Sequence, residues 1–255
     1  MAHHFNWTLL IPGVNHENMH VATLLIVSTL LILIAFAAYF ALGHGESSVA
    51  PSGKFSLKGI FEVFVEFIVD MIDGIIGHHG RYLTPLFGSI FLFIFFNNLA
   101  GLIPGMTPAT DNFNTTVAIG FFSFFVYNIL GIKENGLGYP KHIILPIPVD
   151  SWWRTNFVGK ILTSTILNPL FYVSLMVGMI EIVSHLFRPL TLGIRLAANM
   201  TADHAVLSEF LHLTGYYLVP IIFYGFGLFV CAVQAYVFTM LSMIYVAMAT
   251  AHEEH

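Results

Sequence analysis

Apolar residues in this chain run on unbroken over most of its length, with neither the alternation of a strand nor the one-sided recurrence of a surface helix. Residues 21–42 contain no charged side chain and make about 33 Å of helix at 1.5 Å per residue, enough to cross a hydrocarbon layer of roughly 30 Å. A polar linker with Gly, Ser, Pro and two lysines follows. Residues 59–77 differ in pattern, because Glu62, Glu66, Asp70 and Asp73 fall within about 80° of one another at 100° per residue. That spacing predicts an amphipathic helix along the membrane surface, although an acidic stripe facing a partner gives the same pattern. Residues 82–103 form a second span stopped by Pro104-Gly105, and residues 117–132 a shorter third one. After a Gly- and Pro-containing stretch, apolar sequence resumes near Lys160 and is broken best at Thr214-Gly215. Two long helices result, over 160–213 and 216–249. The second would be about 51 Å long and must tilt or protrude.

The expected architecture is an all-α integral membrane protein, a single membrane domain over residues 1–255. It has five crossing helices, one amphipathic surface helix, an N-terminal segment over residues 1–20, and a strongly tilted final pair. Composition agrees: 57% of residues are hydrophobic and 9% charged, against about 25% charge in a soluble domain. The net charge of −5 and the lack of a basic run leave no footprint for nucleic acid. Cys231, the only cysteine, cannot form an internal disulfide. The first apolar run has no basic residue before it and is longer than a signal-peptide core, so it reads as a retained span.

Basic residues set the orientation. Lys54, Lys58, Arg81, Lys133, Lys141, Arg154 and Lys160 lie in linkers that five crossings place on one side. By the positive-inside rule that side is cytoplasmic, so the N-terminus is outside and the C-terminus inside. The two remaining basic residues, Arg188 and Arg195, are inside the fourth span.

Charge inside a membrane helix is costly and points to function. On a helical wheel Glu181, His185, Arg188, Arg195, Asn199 and Asp203 all fall on one face, within an arc of about 80°, and the functional reading of that face is an ion path. A structural reading would bury this face against other helices of the chain with each charge paired, but the other spans offer no carboxylate to Arg195. A guanidinium stays charged, so its counter-charge belongs to another subunit. A mobile carboxylate there would lose its proton beside Arg195 and regain one in lipid.

The residues around this stripe resemble the a subunit of F-type ATP synthases. The resemblance covers nearly the whole chain and rests on three stretches: PLTLGIRLAANMTADH at 189–204, FFNNLAGLIPG with PATDNFNTT at 95–105 and 108–116, and VQAYVFTMLSMIYVAMA at 233–249 before an acidic end. It implies the static half of a rotary motor, lying against a ring of c subunits and held by b-type peripheral stalk subunits among the remaining synthase subunits. Two half-channels would then load and unload the ring carboxylates, with no cofactor, no metal and no catalytic chemistry in this chain. By motif, Arg195 is the essential arginine, Asn199 its neighbour and Gln234 the glutamine facing it. Glu181 matches the acidic residue of the cytoplasmic half-channel, with Ser184 near it, and His204 stands where the family has Glu or His in the outer one. His204 is about 180° from Arg195 on the wheel, so it enters from another direction or is simply bonded at a helix end. One departure stands out: the family often has an ionisable residue seven positions before the glutamine, where this chain has Gly227. Asp203, Glu209 and His212 are the substitutes, and Asp203 beside His204 is poised to titrate with it. A bacterial inner membrane fits the compact chain, and a mitochondrial one is the alternative.

Three other features have plainer readings. Gly227, Cys231, Ala235 and Thr239 form a small-residue stripe that suits close helix packing, or else a smooth face for a moving ring. Pro189 removes a backbone donor and should kink the fourth span, freeing the His185 carbonyl. His16-Glu17-Asn18-Met19-His20 matches the zinc-protease pattern but has no third ligand in place and little chain around it to exclude water. His78, His79, His252 and His255 read as solvated. A stand-alone proton-coupled transporter or channel is the rival function; it leaves Arg195 without an acid and expects internal repeats that are not evident.

Overall fold

The computed structural model describes residues 6–15, 18–42, 57–103, 105–136, 139, 169–214 and 218–250. Among them are six α-helices and no strand: α1 (Met19–Leu42), α2 (Leu57–Ile75), α3 (Thr84–Ala100), α4 (Phe113–Asn135), α5 (Pro169–Thr214) and α6 (Leu218–Thr250). Short 3₁₀ turns stand at Trp7–Leu10, His78–Leu83 and Ala109–Asp111. Five stretches are long and apolar enough to cross a membrane: Met19–Phe40, His78–Ala100, Phe113–Asn135, Met176–Leu207 and Ile222–Thr250. The protein is an all-α integral membrane protein. The polar linkers, the start of the fourth predicted span over 160–168, the break at Gly215, and His16, Glu17, His252 and His255 lie outside the described residues.

Two boundaries moved for local reasons. The second span starts later as α-helix, because the chain first makes the 3₁₀ turn from His78, and Thr84 Oγ1 then donates to the Arg81 carbonyl at 2.6 Å. Pro85 sits in the first turn of α3, where its missing N–H costs nothing. The third span is longer than predicted, since Asn112 Oδ1 accepts the Asn114 N–H at 2.9 Å and starts α4 upstream of the apolar run. Helix α5 continues through Pro189.

The chain packs as two units, residues 1–119 with 192–244, and residues 120–191 with 245–255. In the first, α1 and α2 both pack on α3. Ile68 and Ile72 of α2 and Ile94 of α3 are completely buried, and Phe64 and Phe67 bracket Phe91 with ring centroids 5.6 and 5.9 Å away. The outward side of α1 is apolar, from Leu25 to Phe40, as lipid requires. Helix α2 keeps its acids at its edge: Glu66 and Asp70 are exposed, Glu62 lies 3.7 Å from Lys58, and Asp73 bonds Arg81. Asn6 ties the N-terminal turn to the loop before α4, donating to Thr107 Oγ1 at 2.6 Å, while the Trp7 N–H reaches the Gly105 carbonyl at 2.9 Å.

In the second unit Tyr127 is the largest fully buried side chain, with the Phe124, His185 and Tyr245 rings around it. Asn135 Nδ2 donates to the Ala249 carbonyl at 2.9 Å and so holds the ends of α4 and α6 together.

Candidate functional site

The polar stripe of α5 is shared between the two units, and each part has its own surroundings. In the first unit, Leu196 and Met200 are fully buried, so the face of α5 between them packs inward. Arg195 and Asn199 stand on the other side and are exposed. Asn199 Nδ2 donates to Gln234 Oε1 of α6 at 2.9 Å, and Gln234 is itself buried. Among the described residues Arg195 has no hydrogen-bond or ion-pair partner. The structure thus brings Asn199 and Gln234 together and leaves Arg195 exposed, on a helix long and apolar enough to cross lipid.

Gly193 explains how α5 is placed here. A side chain begun at Gly193 would lie 2.8 Å from Val117 Cα and 3.0 Å from the Thr116 carbonyl oxygen, so only glycine lets the two backbones meet. Buried Thr116 secures that end of α4 by donating to the Phe113 carbonyl at 3.0 Å.

Further along α5, Asp203 and His204 point inward. The Asp203 Oδ2 atom lies 3.3 Å from the point where a side chain on Gly227 would begin, and Leu102 fills the remaining space at 2.6 Å. His204 is half-buried against Gly101, and its Nε2 is buried with no hydrogen-bond partner among the described residues. Thr201, two residues before Asp203, donates to Asp111 in the turn ahead of α4. Nearby in the chain, Thr110 Oγ1 donates to buried Asn98 Oδ1 at 2.7 Å. Asp111 belongs to the PATDNFNTT stretch, yet its bond to Thr201 was not legible from sequence, because it joins a loop to a helix distant in the chain. Glu209 is exposed, and the His212 side chain lies outside those described.

In the second unit, Glu181 is half-buried and Ser184 exposed. His185 meets a set that sequence reasoning missed, Phe124, Tyr127 and Asn128 of α4 and Tyr139 beyond it, while Tyr245 of α6 packs on Tyr127 and lies under Arg188. The His185 Nε2 lies 3.0 Å from Asn128 Oδ1, its Nδ1 3.3 Å from Arg188 Nη1, and the Arg188 guanidinium carbon 5.3 Å from the centroid of the Tyr245 ring. Such a position over an aromatic face favours a cation. The signal available in sequence was Phe124 three and four residues before Tyr127 and Asn128 on α4, which looks the same as an ordinary aromatic core.

The small-residue stripe of α6 is settled by burial. Cys231, Ala235 and Thr239 are 0% exposed, and Gly227 is buried too, so the stripe packs within the chain and offers no face to a moving ring. No group of three metal-binding side chains occurs among the described residues. Of the three ionisable residues of the zinc-like motif only His20 is described, and the Asn112 side-chain nitrogen lies 3.4 Å from its Nδ1.

Comparison with known proteins supplies the family. The model for the ATP synthase A chain matches residues 22–247. ATP synthase subunit a of Bdellovibrio bacteriovorus is 51% identical over 250 residues, covering 98% of this chain and 99% of that protein. The subunit a proteins of a Sulfurihydrogenibium species and of Aquifex aeolicus are 36% and 34% identical, covering 90% and 88% of this chain and 98% and 96% of their own lengths. With a family model spanning nearly the whole sequence and relatives matched end to end, the chain belongs to the ATP synthase A chain family.

Proposed function

We propose that this chain is the static, proton-conducting subunit of a rotary ATP synthase and that Arg195 separates two half-channels serving the carboxylates of a c ring. The observation that carries the reading is Arg195 itself: an exposed guanidinium on a lipid-crossing helix, with no anion bonded to it among the described residues. A permanent cation there needs a counter-charge from outside the chain. A ring carboxylate arriving beside it gives up its proton, and one moving back into lipid takes one up. Each proton crossing about 100 mV releases roughly 2.3 kcal/mol, which the ring would deliver as torque. This chain supplies the path and the b-type stalk subunits hold it still.

On the inner side the path uses Glu181 and Ser184. On the outer side it uses Asp203 and His204, with Leu102 and Asp203 packed against Gly227. The exposed Glu209 and the nearby His212 are further groups for the outer path. Asn199, one turn beyond the arginine on α5, and Gln234 of α6 complete this part of the path, and their mutual hydrogen bond ties the two helices together. The basic linkers place the N-terminus outside and the C-terminus in the cytoplasm, in a bacterial inner membrane.

Arg195→Ala tests the reading. Membranes carrying it should contain the assembled synthase yet make no ATP from an imposed proton gradient. Retained gradient-driven synthesis in that variant overturns the assignment. Arg195→Lys should also fail, since an ammonium can shed its charge when desolvated and lacks the planar fork.

A further inference from the structure

The polar atoms around the His185 imidazole have fixed directions. Asn128 Nδ2 donates to the Phe124 carbonyl at 2.7 Å, which orients the amide and leaves Oδ1 as the acceptor. That oxygen receives the Tyr139 hydroxyl at 3.3 Å and lies 3.0 Å from His185 Nε2. An amide oxygen only accepts, so Nε2 carries the hydrogen. On the other side of the ring, Arg188 Nη1 lies 3.3 Å from Nδ1. A guanidinium only donates, so Nδ1 accepts and carries none. The imidazole is therefore the neutral Nε2–H tautomer, wedged between a donor and an acceptor. Protonating Nδ1 would turn two N–H groups and two positive charges against each other.

The remaining neighbours leave this arrangement intact. The Phe124 and Tyr127 rings meet His185 edge-on with centroids 5.4 and 5.2 Å away, and Tyr139 is 6.3 Å away. Burial raises the Tyr139 phenol above its usual range, against the opposing pull of Arg188, so its hydroxyl remains a donor. Glu181 lies one turn earlier on the same helix, and no carboxylate bonds His185 or Arg188 among the described residues.

We propose that His185 is a positioning residue: as a fixed neutral imidazole it links Arg188 of α5 and Tyr139 to Asn128 of α4 and takes no part in passing protons. The proposal rests on the functional reading above and divides the labour on this side of the stripe, with Glu181 on the proton path and His185 holding the structure. It also gives Arg188 a role, as the donor that selects the tautomer.

A glutamine reproduces both faces of this tautomer, an acceptor oxygen toward Arg188 and a donor N–H toward Asn128, but cannot be protonated. In the assembled synthase in membrane vesicles, His185→Gln should keep gradient-driven ATP synthesis within about twofold of the parent, with the same pH profile between about pH 6 and 9. His185→Leu, which supplies neither group, should lose roughly tenfold or more, as misplaced positioning groups do. Selective ¹⁵N-histidine spectra, with His185 identified by its absence in His185→Gln, should show a protonated Nε2 and a bare Nδ1 throughout. A relay role, and failure of the proposal, would show as loss of synthesis in both variants, a changed pH profile in His185→Gln, or an imidazolium signal. Parental activity in both variants would equally overturn it. If Arg195→Ala also makes ATP, the functional reading has failed; if Arg195 is essential while His185→Gln is dead, only the His185 assignment has.

Discussion

Arg195 and His204 stand on one helix and meet opposite surroundings, the first exposed, the second with a buried and unsatisfied nitrogen. Their wheel positions, about 180° apart, already separated them. Position alone did not say which one faces inward; the burial of Leu196 and Met200 did. The Asp203 position likewise depends on what Gly227 lacks, because a side chain there would meet Leu102 and the Asp203 carboxylate. Gly227→Leu should therefore impair gradient-driven synthesis at least as much as Asp203→Asn, measured in the same vesicles; full activity in both would remove Asp203 from the path. On α2, the Arg81 guanidinium bonds Asp73 at 2.5 and 2.9 Å and, with some help from His78, holds its carboxyl below the usual range. A lowered folded value means that the pair stabilises fully above the ordinary carboxyl range near pH 4 and loses its effect as pH falls through the lower folded value. The pair is solvated, so its contribution is small. Arg81→Gln should move the Asp73 titration, followed by its carboxyl ¹³C shift, back up toward about pH 4.

The elements show why spacing predicts helices better than their limits. Long uncharged runs made α1, α4 and α6 plain, because in lipid a single long apolar segment satisfies its own backbone groups only as a helix. Their ends were set by single polar groups, such as Asn112 at the start of α4, which carry little signal among so many apolar residues. The close approach of α5 to α4 rests on Gly193. Gly193→Ala should cost about 1–3 kcal/mol by forcing the backbones apart, whereas Gly225→Ala, with nothing within 4 Å of the new methyl, should be neutral or stabilising by about 0.5–1 kcal/mol. Thermal unfolding of the two variants in detergent measures the contrast. Equal stability would mean that α5 moves aside freely.

For the whole molecule, the five crossings and the seven basic residues of the linkers give one testable orientation. With Cys231→Ser as background, Asn114→Cys should react with a membrane-impermeant maleimide applied from outside, and Glu134→Cys only after permeabilisation. The reverse pattern would invert the whole arrangement, half-channels included.

Sequence alone determined the solvent of this protein, the number of its spans, the face that gathers its buried charges and its family, because each depends on periodicity or on a contiguous motif. Tertiary structure decided which charges are paired and which are left over. It put Asn199 on Gln234, Thr201 on Asp111 and Asn128 on His185, turned the small-residue stripe of α6 inward, and left Arg195 exposed. Those outcomes join residues far apart in the chain, and a hydrogen bond between two helices depends on their rotation and approach, which no local pattern encodes.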